Sequence, residues 1–269
     1  MRPISPVSLL SVCLPALLLA SGCAAHRFSP PTGPGEPAPE FAQQFEEATK
    51  TCRDVRALTA DVSLSGRVSG QKVRGKLQIG LADPNALRLE AIAPFGAPVF
   101  ILAAQNGTGT LLLPRDKAVL RETPADAIID ALAGIKLTPD ELRAVATGCV
   151  SPAPSATGGR RYPGDLTAIT LKDGAEAFVR PVNGAPRIVS ARRPGLIVEY
   201  EAFERGLPRT IILRADSGNA ELSLTLSRIE LNPALGPQAF TVDVPAEAHP
   251  TTLDELRKSG PLGRGRSNP

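Results

Sequence analysis

Apolar and polar residues alternate along most of the chain, which is the pattern of β-strands that bury one face. The alternation is clearest at positions 62–68 and 73–79, where the turn sequence VSGQK separates two runs and predicts a hairpin. The same reasoning predicts further strands at 86–92, 99–104, 110–113, 166–181 (a hairpin), 187–192, 196–203, 210–215 and 220–231. The sequence therefore predicts a succession of antiparallel strands.

Three segments have the apolar spacing of helices instead. Residues 39–58 place apolar side chains three or four positions apart, which predicts an N-terminal helix with one buried face. Two short helices are predicted between the strands: one begins at Thr123 and Pro124 and ends at Gly134, and the other begins with the capping box of residues 138–141. Residues 151–165 show no periodicity and are predicted to form a loop.

The chain shows no internal repeat, and the two short helices fall inside one series of strands. One folded domain at residues 41–245 is therefore expected. A sheet of about ten or eleven antiparallel strands tends to curl, and inserted helices can cover its concave face. The predicted fold class is α+β, mainly β: a single curled antiparallel sheet that forms an unclosed half β-barrel with a helical lid.

The N-terminus has the features of an export signal. Residues 1–22 contain one arginine, an apolar stretch and then small residues, and the end of this segment resembles the bacterial lipobox. The resemblance implies that Cys23 is lipidated, and Ala24 after it favours the outer membrane; a plain secretory signal that contains a cysteine is the alternative. Residues 23–40, rich in proline and glycine, are expected to form a lipid-anchored tether. Residues 246–269 are read as a polar C-terminal tail.

The composition supplies little that points to catalysis. The two histidines, His26 and His249, lie near the ends of the chain, and no nucleotide-binding, zinc-protease or nucleophile-elbow motif is present. We therefore expect no enzyme activity, no cofactor and no metal site. A net charge of +3 without long basic runs argues against nucleic acid as a partner. Cys52 and Cys149 remain for a disulfide, with two buried free thiols as the alternative.

Residues 87–148 resemble the outer-membrane lipoprotein receptor LolB. The matching features are an arginine-bearing strand, a turn with proline and glycine, two more strands and two short helices that each end at a glycine. The hairpin at 64–81 and the segments GLPRTIIL and SRIELNPALGPQAFTVDVP are similar to the wider LolA and LolB superfamily. The resemblance extends loosely over residues 41–245.

The resemblance implies a monomer that binds the acyl chains of lipoproteins in an apolar cavity. Such a protein receives them from a periplasmic LolA-like carrier and inserts the lipoproteins into the outer membrane. The alternative is a non-catalytic structural or assembly lipoprotein that uses the curled sheet as a protein-interaction surface. The residues expected to line the cavity are Leu64, Leu77, Leu89, Phe100, Leu102, Leu112, Ile128 and Leu132.

The turn between the third and fourth strands carries a phenylalanine at its tip. In LolB this turn bears an exposed aliphatic residue that enters the bilayer, and the matching position here is Phe95, between Pro94 and Gly96. An aromatic side chain also suits the membrane interface. The resemblance therefore implies a membrane-contact turn, and the alternative is that Phe95 folds back onto its own core.

The substitution Phe95→Glu tests the membrane-contact turn. Burying a Phe side chain contributes about 1.5 to 3 kcal/mol, which orients a tethered protein but does not anchor it. We expect Phe95→Glu to leave folding intact and to impair the transfer of lipid cargo into liposomes. If circular dichroism shows instead that the variant is unfolded, Phe95 is a core residue.

Overall fold

A computed structural model describes residues 27–93, 98–152 and 154–260. The chain forms two compact units, residues 1–30 and 31–269. Every helix and strand found in the described residues belongs to the second unit, and the following paragraphs concern that unit alone.

The strands of the described residues form one fifteen-stranded sheet. They are β1 (Glu36–Pro37), β2 (Ala57–Val68), β3 (Gln71–Ala82), β4 (Ala86–Ile92), β5 (Phe100–Gln105), β6 (Thr108–Leu113), β7 (Ala118–Pro124), β8 (Ala156–Tyr162), β9 (Leu166–Leu171), β10 (Glu176–Val182), β11 (Ala185–Arg193), β12 (Leu196–Glu201), β13 (Thr210–Arg214), β14 (Ala220–Leu231) and β15 (His249–Pro250). Their order across the sheet is β1-β8-β9-β10-β11-β12-β13-β14-β2-β3-β4-β5-β6-β7-β15. All neighbours are antiparallel except β15 and β7.

The sheet has two edges and does not close on itself. The pairing of β14 with β2 joins the later strands to the earlier ones at the middle of the sheet, while β1 and β15 lie at its two edges. The predicted fold class is confirmed: one large curled sheet with helices against it. The sheet contains more strands than predicted, because β1, β7, β8 and β15 were not recognised.

Four helices accompany the sheet: α1 (Phe41–Asp54), α2 (Ala125–Ala133), α3 (Pro139–Ala146) and α4 (Leu253–Ser259). Helix α1 packs against β8 to β11 through Phe45, Ala48 and Cys52. Helix α2 contacts β6 and β7, and α3 contacts β3 and β4. Most buried side chains of α1, α2 and α3 belong to one apolar cluster with the inward-facing residues of the strands. These helices therefore cover the face that the open sheet leaves exposed.

The prediction of a loop at residues 151–165 is wrong, because this segment contains β8. A glycine pair and two arginines hide the strand pattern. The reason for one glycine is packing: a Cβ atom at Gly159 would clash with the side chain of Phe41, so only glycine lets α1 approach β8 this closely. The start of the first inserted helix also differs, since Thr123 and Pro124 complete β7 and α2 begins at Ala125.

Parts of the segments read as tether and tail are folded. Residues 36–37 pair with β8, and Ala38 is buried. Glu40 forms an ion pair with Arg161, and the hydrogen bond from this guanidinium lowers the pKa of the Glu40 carboxyl. At the other end, β15 pairs with β7 and α4 packs against α2 with Leu256 buried.

A disulfide joins Cys52 of α1 to Cys149, which follows α3. The two Cα atoms are 6.1 Å apart and the residues are 97 positions apart in the chain. The carbonyl oxygen of Cys149 accepts a 2.5 Å hydrogen bond from the Tyr200 hydroxyl, and burial raises the pKa of that hydroxyl well above its ordinary value. The end of α3 is thus fixed to α1 by a covalent bond and to β12 by a buried hydrogen bond.

The double variant Cys52→Ala/Cys149→Ala tests how much this link stabilises the domain. Closing a loop of this length removes denatured-state entropy worth about 4.7 kcal/mol in the chain-entropy model. We expect urea denaturation to show a loss of that order in the free energy of unfolding. Reduction of the disulfide in the unchanged protein should give the same loss. If the urea midpoint responds to neither the substitutions nor the reduction, the disulfide does not stabilise the domain as we expect.

Candidate functional site: an apolar cavity beneath the helical lid

An apolar cavity lies between the sheet and the lid, which we define as residues 125–146 with α2, α3 and their connection. Its walls come from β2 to β5, β13, β14 and the lid, and every residue found to line it is apolar. The cavity volume is about 90 Å³. An engineered cavity of about 150 Å³ holds one benzene molecule, so the interior is nearly filled by its own side chains in this conformation.

The floor of the cavity consists of cross-strand rows of side chains. One row runs from β14 to β5 through paired positions: Leu226, Val62, Leu77, Ala91 and Phe100. The alternation of residues along each strand places these side chains on the inner face, where neighbouring strands bring them into contact. The period-two pattern seen in the sequence therefore produces a continuous apolar surface.

A second row ends at a gap. It runs through Ile211, Leu224 and Leu64 to Gly75 of β3, which has no side chain. The next strand, β4, pairs with β3 only as far as Lys76 and Ile92, so Gly75 lies just beyond the paired part. Among the described residues, no heavy atom lies within 4 Å of where a Cβ atom at Gly75 would be. The described residues therefore leave the inner face open at this point.

A groove of about 830 Å³ lies at this opening, and we call it the mouth groove. Leu64, Leu77 and Phe100 line both the groove and the apolar cavity, so the two spaces share a wall. Among the described residues the groove is also bordered by the polar side chains of Ser63, Ser65, Arg74, Lys76, Arg115 and Thr225. The cavity thus adjoins a wider, partly polar space at the free edge of β3.

Five of the eight residues predicted for the cavity line it: Leu64, Leu77, Leu89, Phe100 and Leu132. Leu102 and Ile128 are fully buried in the apolar cluster near Gly109, outside the cavity. Leu112 is a correction, because it is buried outside that cluster while its neighbours Leu111 and Leu113 belong to it. Alternation along β6 places Leu112 on the opposite face of the sheet.

The sequence reasoning missed the walls contributed by the later strands and by α3. Ile211 and Leu213 of β13, Leu222 of β14, and Leu142 and Val145 of α3 all line the cavity. The signal was present, since these residues have the same alternation or helical spacing as the predicted ones. Only the pairing of β14 with β2 reveals that the later strands meet the earlier ones here.

Polar contacts fix α3 firmly at the edge of the cavity. The capping box of Thr138 and Glu141 closes its N-terminus. Arg143 is buried and donates a 2.6 Å hydrogen bond to the carbonyl oxygen of Val55. The Oε1 atom of Glu141 also lies 3.0 Å from the Nη2 atom of Arg193, which is on β11. Together with the disulfide at Cys149, these contacts make α3 the fixed part of the lid.

Helix α2 is held by weaker polar contacts. The Oδ2 atom of Asp130 lies 3.7 Å from the Nη2 atom of Arg257, which is on α4, and both side chains are about half exposed. Asp126 lies 3.3 Å from the exposed Lys136. Exposed ion pairs of this kind contribute about 0 to 1 kcal/mol, so apolar packing is the main contact that keeps α2 in place.

Cys23 and the turn of Pro94, Phe95 and Gly96 lie outside the described residues. Within residues 27–93, 98–152 and 154–260, no group of three or more histidine, cysteine or acidic side chains is arranged to hold a metal ion. No helix in the same ranges is long and apolar enough to cross a bilayer.

Solved structures share the fold at low sequence identity. A LolA superfamily protein from Nitrosomonas europaea aligns with a TM-score of 0.50 and 13% identity over 75% of this chain and 97% of that chain. A DUF1329 family protein from Desulfovibrio piger aligns with a TM-score of 0.50 and 11% identity over 77% of this chain and 98% of that chain. No protein-family model and no curated protein matches the sequence. The chain has a LolA/LolB-like fold.

The substitution Gly75→Phe tests whether the gap at Gly75 gives access to the cavity. Because the position is open, we expect folding to be unaffected, while the rate at which a fluorescent apolar dye enters falls on the order of tenfold as the ring closes the path. The matched control is Gly80→Phe on the same strand, whose Cβ would meet only Arg88, at 3.9 Å. Equal entry rates in both variants would show that the path lies elsewhere.

Proposed function

We propose that this protein is a non-enzymatic lipid-binding protein that holds acyl chains between its curled sheet and its lid. The observation that carries the proposal is the wholly apolar lining of the cavity, built from cross-strand rows and two helices. An apolar chain gains from leaving water in such a site without any catalytic group. The LolA/LolB-like fold supports the proposal.

Binding a long acyl chain requires the cavity to expand, since about 90 Å³ is too small for one. Helix α2 is the part of the lid that we expect to move, because the polar side-chain contacts that join it to the rest of the described chain are ion pairs with exposed partners. One backbone hydrogen bond, from the amide of Ala125 to the carbonyl oxygen of Gly107, holds its first residue. Helix α3 is held by the buried Arg143 and by the disulfide that follows it. Movement of α2 would replace its apolar contacts with contacts to the chain, so the cost of opening is offset by the ligand.

The finer part of the proposal concerns where the lipid goes. Lipidation of Cys23 would anchor the protein to the outer membrane on its periplasmic side, since several acyl chains anchor far more firmly than one. A LolA-like carrier would deliver the acyl chains of lipoproteins to the monomeric protein. The turn at Phe95 would then contact the bilayer into which the lipoprotein is inserted. The lipobox-like segment and the resemblance of residues 87–148 to LolB support this part.

The substitution Ala133→Trp tests the cavity as the lipid site. Ala133 is on α2 and lines the cavity, so a Trp there occupies space that an acyl chain needs. In fluorescence titrations with a fatty acid that carries a fluorophore, we expect affinity to fall on the order of tenfold, or 1.4 kcal/mol. The matched control is Ala127→Trp on the same helix, which does not line the cavity.

Two results would contradict the proposal. One is that the unchanged protein takes up no fatty acid or phospholipid. The other is that both Trp variants bind the fatty acid as tightly as the unchanged protein. Either result would favour the alternative of an assembly lipoprotein that uses the sheet as a protein-interaction surface.

A further inference from the structure

The mouth groove has an unusual composition for its position. Its polar side chains are three cations and three hydroxyl groups, and no aspartate or glutamate is found among its described lining residues. The whole chain, in contrast, has 27 acidic residues against 30 lysines and arginines. A surface drawn evenly from this composition would have about as many carboxylates as cations, so the groove is selectively positive.

The cations of the groove are not neutralised by any residue that the structure describes. Arg74, Lys76 and Arg115 are exposed, and none of them forms an ion pair or side-chain hydrogen bond within the described part of the chain. Arg74 and Lys76 are opposite Ser65 and Ser63 on β2, so their cross-strand neighbours are hydroxyl groups. Cations and hydroxyls are the donors that bind the oxygen atoms of a phosphate group.

The groove and the cavity are arranged for one amphiphilic molecule. They share the wall formed by Leu64, Leu77 and Phe100, and they meet where Gly75 leaves the inner face open. Arg74 and Lys76 alternate with Gly75 and Leu77 along β3, so they project from the opposite face and border the groove at the edge of the strand. A molecule whose chains lie against the shared wall would place its polar end at this edge, within reach of Arg74 and Lys76. Apolar contacts would supply most of the affinity, and the cations would select the sign of the head group.

We infer that the mouth groove binds the anionic phosphate head group of a phospholipid whose acyl chains occupy the cavity. This inference rests on the proposed function and adds a preference for a chemical class of lipid. Phosphatidylglycerol meets the requirement because it combines two acyl chains with a net negative head group, whereas phosphatidylcholine with the same chains has no net charge. Selection therefore depends on the head group alone.

The test compares the two lipids with the full-length chain kept in solution by a non-ionic amphipol. Each lipid carries the same fluorophore on one acyl chain, and affinities are measured by titration. We expect phosphatidylglycerol to bind on the order of tenfold more tightly than phosphatidylcholine, from the attraction of a few cations near the surface. The difference should shrink as salt concentration rises.

The double variant Arg74→Gln/Lys76→Gln should lower the affinity for phosphatidylglycerol to that for phosphatidylcholine and leave the latter unchanged. The control is Lys72→Gln, which alters the same face of β3 outside the groove and should preserve the preference. An equal effect of Lys72→Gln would show that overall charge and not the groove is responsible. Equal binding of the two lipids by the unchanged protein would also overturn the inference.

Additional experiments distinguish a phospholipid from other ligands of the groove. Glycerol phosphate, which has no acyl chain, should not compete with the lipid; competition at the same concentration would mark a site for a free anion and overturn the inference. If the double variant changes only the binding of an acidic partner protein, the groove is a protein-docking surface and the inference fails. If no lipid binds at all, the proposed function itself fails, which is a distinct result.

Discussion

The structure depends on how an open sheet buries its inner face. A curled sheet that does not close leaves a broad apolar surface that no opposing strand covers, and exposing it to water is unfavourable in proportion to its area. In this protein α1 covers the side formed by β8 to β11, while α2 and α3 cover the side formed by β3 to β7. The second cover is incomplete, since a cavity remains beneath it. The proposed lipid binding would follow from this incompleteness, because an acyl chain could serve as the missing part of the core.

The two lid helices are held by different contacts, and this difference indicates which of them would move. The end of α3 is fixed by the disulfide at Cys149 and by the buried Arg143, whereas α2 relies on apolar packing and on contact with α4. In the proposed function, an acyl chain that enters displaces α2. The opening at Gly75 lies at the free edge of β3, where β4 has ended. The apolar cavity thus adjoins a groove that is bordered by cations, as the proposed binding of an amphiphile requires.

Much of the fold was predictable because it depends on local patterns. Alternation predicted the hairpin of β2 and β3. Helical spacing predicted α1, and helical spacing with capping signals predicted α2 and α3. The strand β8 was missed because Gly159 is required by the packing of Phe41, a contact between segments far apart in the sequence. The short strands at the sheet edges have two residues each, too few to show a period. Helix α4 was missed because Leu256 is its one buried residue, and a single apolar position shows no helical spacing.

The site was predictable only in part, for a related reason. Leu64, Leu77 and Phe100 were expected in the cavity because their strands are adjacent in the sequence. The walls from β13 and β14 depend on the pairing of β14 with β2, which joins residues more than 150 positions apart. Leu112 was misplaced because β6 has consecutive apolar residues, Leu111 to Leu113, and composition alone does not tell which of them face inward.

The most direct measurement is mass spectrometry of lipid extracted from the full-length chain after purification from membranes. The proposed function predicts acyl lipid in an amount approaching about one molecule per chain, because an apolar cavity under a movable lid should retain a ligand through purification. An extract with no more lipid than an unrelated lipid-anchored protein purified in the same way would contradict the central claim.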